Sequence, residues 1–138
     1  MILRVPVKIV REGAELPQRA YEHDAAFDLC SAVDVTLRPQ ERATVPTGIA
    51  LGLPAHVAGL TVPRSGLAAR HGITIVNAPG LIDPGYRGEV HVVLLNTDRE
   101  QAFEIRRGDR ARLRRGAAGL RTRRSGLRFL GRQYGHEQ

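Results

Sequence analysis

The chain has 138 residues, 42% hydrophobic and 25% charged, which suffices for one domain with its own apolar core. Its single cysteine excludes a disulfide framework and a Cys-rich zinc site, and no apolar run approaches the roughly 18–20 residues of a membrane span. The formal net charge of +7 is confined to residues 111–138, with eight Arg and one Glu; residues 1–110 carry 13 basic and 13 acidic residues and are neutral.

In chain order, the apolar stretches are ILRVPVKIV, VDVTL, ATVPTGIALGL, VAGLTV, GITIVN, GEVHVVLLN and AFEI. They have strand length, are rich in Val, Ile, Thr and Leu, and several alternate, as in Val33-Asp34-Val35-Thr36-Leu37. Turn formers separate them: Leu16-Pro17, Arg38-Pro39, Thr47-Gly48, Ala78-Pro79-Gly80 and Asp83-Pro84-Gly85. No long apolar stripe has helical spacing, and a single short helical turn is expected near Ser65–Arg70. The expected fold is all-β, a sandwich, jelly roll or barrel. In the N-terminal stretch Arg4, Pro6 and Lys8 interrupt the apolar residues, and no small-residue cleavage site follows. An ordinary secretion signal is therefore not expected, and a cytoplasmic location is.

After Arg110 no segment of strand length alternates cleanly. The expected division is a β domain over 1–110 and a basic tail over 111–138, disordered or poorly packed. Only Phe129 and Tyr134 in this tail could stack on bases, so nucleic acid is not the expected partner.

Three segments hold more polar chemistry than a scaffold needs. His23-Asp24-Ala25-Ala26-Phe27-Asp28 has two nearby carboxylates, which suit turns or the water shell of a hydrated Mg²⁺. Pro63-Arg64-Ser65-Gly66-Leu67-Ala68 offers a forked cation, a small hydroxyl, a glycine that lets a ligand approach the backbone, and the start of a helical turn, a combination suited to polyphosphate. The loop Asn77–Glu89 lies between two expected strands and reads as a hairpin with a shaped tip. There Ile82 and Pro84 flank Asp83 and would partly desolvate it as a base, while Tyr86 offers a ring for a base or sugar. The five His have no metal-site spacing, Cys30 sits in an apolar context that favours packing, and neither GxGxxG nor GxxxxGK[ST] occurs.

Taken in order, AAFDL, PRSGLA, NAPGLIDPGYRGE and GDR resemble the homotrimeric dUTPase family, from about residue 3 to residue 110. The resemblance implies a jelly-roll-like β fold and Mg²⁺-dependent hydrolysis of dUTP to dUMP and pyrophosphate. It further implies that Asp83 orients and deprotonates the attacking water, that Asn77 and the backbone at Leu81, Ile82 and Asp83 hold the uracil and sugar, and that Tyr86 lies under the deoxyribose. Arg64, Ser65 and Gly66 would bind phosphates, and Asp28 would hold waters of the magnesium shell, in a homotrimer with active sites between subunits.

Two positions depart from the family pattern. Ala26 replaces a Gly, and after Arg110 the expected apolar strand with its Gln and the Gly-rich arm are absent, Leu113 standing at the Gln position. Read one nucleotide later, codons allowed by Ala117-Ala118-Gly119 spell Gln-Arg-Val and those of Arg132-Gln133-Tyr134-Gly135 spell Gly-Ser-Thr-Gly, which points to a frameshift soon after Arg110. Reduced turnover is the expected consequence, because a closing arm excludes water from the triphosphate. Two alternatives are a non-catalytic nucleotide-binding protein and a relative of the dCTP deaminases. The second is disfavoured because His91–Asn96 lacks the Glu those enzymes place there.

Overall fold

The computed structural model describes residues 4–107 and the strand at 125–131. The elements are β1 (Val7–Ile9), β2 (Ala26–Leu29), β3 (Val35–Leu37), β4 (Arg42–Leu51), β5 (Val57–Val62), α1 (Ser65–His71), β6 (Ile73–Ile75), β7 (Gly80–Ile82), β8 (Glu89–Asn96), β9 (Phe103–Ile105) and β10 (Ser125–Gly131). Two four-stranded sheets, ordered β1-β4-β8-β6 and β2-β10-β5-β7, and a two-stranded β3-β9 sheet are antiparallel throughout. This is the expected all-β, jelly-roll-like sandwich with one short helix. No helix of the described residues is long and apolar enough to cross a membrane.

The period-2 patterning explains the layers. In β5 and β8 buried residues alternate with more exposed ones, so one side of each strand meets the core. Leu29, Val57 and Ile82 from one sheet, Ile49, Leu51, Ile75, Val90 and Val92 from the other, and Leu37 and Phe103 from the small sheet form one cluster. Strand β4 carries a register shift between Pro46 and Ala50. Pro46 has no N–H to give, and Gly48 at φ 72° takes a conformation that side chains resist. The Gly48 N–H donates to Glu89 Oε1 at 3.0 Å and the buried Thr47 hydroxyl to the Val90 carbonyl at 2.6 Å, so β8 satisfies the bulge.

The expected strands and helical turn form, and three further strands join them. Strand β2 is a four-residue piece without alternation, and β7 has three residues inside the turn-rich loop. The flanking strands β6 and β8 do pair, Ile73 with Asn96 through Ile75 with Leu94, as a hairpin would. The tip, however, crosses to the other sheet: β7 pairs with β5, Gly80 opposite Thr61 and Ile82 opposite Gly59. The third added strand, β10, lies within the segment read as a poorly packed tail and runs between β2 and β5. The segment reads SGLRFLG: it alternates only over Leu127-Arg128-Phe129 before Leu130 follows Phe129 directly, with Gly126 and Gly131 on either side, a run too short to stand out. The expected boundary at Arg110, Leu113 and both frameshift segments lie outside the described residues.

Candidate active site

Two clefts collect the chemistry-bearing residues. The first, about 320 Å³, lies between Asp24–Asp28 and Val62–Gly66. Strand β2 delivers Asp28 to one wall, and the end of β5 hands the chain to Arg64, which occupies the N-cap position of α1 without a capping side-chain bond. The two walls are tied together where Arg64 Nη1 donates to Asp28 Oδ1 at 2.9 Å. Both side chains are largely shielded, 24% and 13% exposed, which favours a fixed charge pair over a solvated one. Ser65 is exposed at the rim, and a Cβ on Gly66 would fall 2.8 Å from Arg70 Nη2, so the Arg70 side chain folds back over Gly66.

The second cleft, about 200 Å³, is lined by Leu81, Ile82, Asp83, Tyr86, Val90 and His91. A turn closes its floor: the Tyr86 N–H donates to the Asp83 carbonyl at 3.1 Å, and Arg87 Nη1 donates to the Pro84 carbonyl. The Tyr86 hydroxyl donates to the Glu89 carbonyl at 2.8 Å, and its ring covers Gly88, where a Cβ would come within 2.7 Å of that hydroxyl. The expected desolvation of Asp83 is not found in the single chain. Strand alternation sends Ile82 into the core and leaves Leu81 and Asp83 exposed.

Thus Asp28, Arg64, Ser65 and Gly66 come together, as do Leu81, Ile82, Asp83 and Tyr86, and the clefts share no lining residue. Asn77 lines neither; it is exposed in the turn before β7, and its Nδ2 would lie 3.4 Å from a Cβ on Gly80. Val90 and His91 complete the lining of the second cleft, and no motif in the sequence points to them. Strict alternation along β8 was the available clue, because it turns Val90 and Val92 inward and leaves His91 on the opposite side.

His91 is held by a network the sequence gives no hint of. Arg11, 78 residues away, donates from Nε and Nη2 to both Glu89 carboxylate oxygens at 2.9 Å. Glu89 also accepts from Gly48, and its Oε2 lies 3.3 Å from His91 Nε2. These bonds, from Arg11 above all, hold the Glu89 carboxyl below its ordinary range and raise Arg11 correspondingly.

Among the described residues no three His, Cys, Asp or Glu gather as a metal cage. Asp24 is engaged, its Oδ2 accepting from the Tyr21 N–H at 2.9 Å. Asp28 beside a polar, open cleft suits a hydrated Mg²⁺ held through waters and phosphate oxygens, which is how this hard, slowly dehydrating cation usually binds.

The profile of the dUTPase family matches residues 12–113. The deoxyuridine 5'-triphosphate nucleotidohydrolase of Tropheryma whipplei (strain Twist) is 54% identical over 104 residues, 75% of this chain and 71% of that protein. That of Leifsonia xyli subsp. xyli (strain CTCB07) is 58% identical over 95 residues, 69% of this chain and 62% of that one. Among solved structures, a mutant dUTPase from phage phi11 of S. aureus, in which a structural Mg(II) ion is coordinated, has a TM-score of 0.78 at 23% identity over 99% of this chain and 95% of its own. The dUTPase of Staphylococcus bacteriophage 80alpha superposes with a TM-score of 0.76 at 22% identity over 98% of this chain and 94% of its own. At such identity these two likenesses establish the fold.

Proposed function

Because the chain belongs to the dUTPase family, we propose that it hydrolyses dUTP to dUMP and pyrophosphate, limiting uracil incorporation into DNA and supplying dUMP for thymidylate synthesis. The observation that carries this reading is the sorting of its expected residues, all but Asn77, into a charged cleft and a hairpin pocket. In the pocket, Asp83 orients the attacking water and takes its proton, the backbone at Leu81 and Ile82 holds the uracil edge, and Tyr86 supports the deoxyribose. Asn77 borders that pocket from the preceding turn and contributes to holding the base.

In the charged cleft, Arg64, Ser65 and Gly66 bind the phosphates. The Arg64 guanidinium has five N–H donors, so its bond to Asp28 leaves capacity for phosphate oxygens. Asp28 is placed to hold waters of a Mg²⁺ shell, and bound Mg²⁺ would supply charge neutralisation at the triphosphate. Two clefts without a common residue support active sites assembled between subunits of a homotrimer. A cytoplasmic location accords with a nucleotide substrate.

The purified chain with Mg²⁺ should release pyrophosphate from dUTP and not from dCTP, dTTP or UTP. Release from all four, or from dCTP alone, would overturn the assignment. Turnover is expected to be reduced, because Arg-rich sequence from residue 111 stands where a Gln-bearing strand and a Gly-rich arm would close over substrate. That same departure favours a second reading, nucleotide binding without catalysis. Tight binding of a non-hydrolysable dUTP analogue with no turnover of dUTP would select it.

A further inference from the structure

The two walls of the charged cleft do not touch as strands. In the sheet order β2-β10-β5-β7, the only element between β2 and β5 is β10, from the basic tail. The register is continuous on both sides: Gly126 stands opposite Asp28 and Val62, Leu127 opposite Phe27 and Thr61, and Arg128 opposite Ala26 and Leu60. Apart from one isolated bridge, Gln18 with Asp28, β10 is the sole ladder partner of β2 among the described residues.

Two strands that flank a third lie roughly 9–10 Å apart, twice the ordinary inter-strand spacing. Such a span is too wide for short side chains and within reach of an arginine. Arg64, two residues past the end of β5, makes that reach to Asp28 of β2 at 2.9 Å. Without the middle strand, β2 would lose its ladder and β5 one of its two neighbours. The backbone groups so freed would then need other partners, since buried N–H and C=O groups are seldom left unpaired.

We infer that the strand Ser125–Gly131 of the atypical tail is the positioning element of the Asp28–Arg64 cleft, setting the separation of its two walls and thereby its fit to a phosphate chain. This assigns a role to tail sequence that lies outside the matched family segment of residues 12–113. It deepens the proposed function only in taking the cleft as the phosphate end of the site.

Amide hydrogen exchange on the unmutated full-length chain is the first test. The amides of 126–130 should exchange at least about a hundredfold slower than unprotected ones, together with those of β2 and β5. Exchange of 126–130 at the unprotected rate overturns the inference, whatever any variant does. Leu127→Pro, which removes a donor opposite Phe27 and Thr61, should lower protection in β2 and β5 while β4 and β8 keep theirs. In the same variant, affinity for inorganic tripolyphosphate should fall by about tenfold while affinity for deoxyuridine, the hairpin-pocket probe, stays within about twofold. Leu127→Val should restore both readings. Unchanged tripolyphosphate affinity beside lost β2 protection would refute positioning. Absence of dUTP turnover with all these results intact would fault the enzyme assignment and leave the strand's role standing.

Discussion

Asp83 stands at the end of β7 with its side chain in solvent, next to a residue locked in the core, so its position is fixed by Ile82 and not by burial of its own charge. Asp83→Asn keeps the shape and removes the proposed base. Pyrophosphate release from dUTP should drop by about a hundredfold or more in kcat with little change in KM, the usual weight of a positioned general base. An equal loss in kcat/KM through KM alone would instead make Asp83 a binding group. Asn96 is fully buried with every polar atom placed: its Nδ2 donates to the Leu37 and Gln101 carbonyls at 3.0 and 2.8 Å, and its Oδ1 accepts from the Asp98 N–H at 3.0 Å. Asn96→Leu strands three backbone groups and should cost about 3 kcal/mol in urea unfolding, several-fold more than a surface substitution.

At the scale of elements, the hairpin pocket depends on β7 lying flat against β5. A Cβ on Gly80 would fall 2.3 Å from Thr61 Oγ1, whose hydroxyl donates to the Gly80 carbonyl at 3.4 Å. Gly80→Ala therefore pushes β7 off its partner, and a cost of about 1–3 kcal/mol is expected from such overpacking. Because Leu81, Ile82 and Asp83 move with β7, KM for dUTP should rise alongside the loss of stability. Gly80→Ala combined with Thr61→Ser should not rescue either, since the clashing oxygen remains, whereas Thr61→Ala should relieve the clash.

For the whole molecule, Glu89, His71 and Asp98 couple folding to pH, Asp98 because the backbone N–H groups of Gln101 and Glu100 hold its carboxyl below its ordinary range. Arg11 holds the Glu89 carboxyl below its ordinary range, so its contribution is present above the unfolded value of about 4.3 and is lost as pH falls through the lower folded value. Burial, then repulsion from Arg70, lowers His71, whose ring lies 5.4 Å from that of Phe103. Its neutral form is favoured in the fold, so stability is present above about pH 6.5 and declines as pH falls through the lower folded value. The urea midpoint should thus decline on acidification in two stages. Arg11→Met should lessen the more acidic stage, which Asp98 shares, and His71→Phe should remove the other; a midpoint flat from pH 7 to about 5 would contradict the His71 stage, and one flat below about pH 4 the carboxylate stage. Light scattering should return three chain masses for the proposed homotrimer, with a single chain mass its refutation.

The sequence by itself determined the β class, the helical turn after VAGLTV, and the short polar motifs that line the two clefts, because alternation, turn chemistry and short motifs are local properties. Tertiary structure alone decided which pieces meet. Only strand pairing takes the hairpin tip to the opposite sheet, carries Arg11 to Glu89, sets Arg64 on Asp28, and leaves Asp83 exposed where its apolar neighbours imply shelter. Short strands such as β2 and β7 have too few residues to show a period, and β10 alternates only over Leu127-Arg128-Phe129; what makes them strands is an unpaired neighbour whose backbone donors and acceptors must be satisfied. Such a demand is made by chain brought close in space, and distant chain leaves no mark on a local pattern.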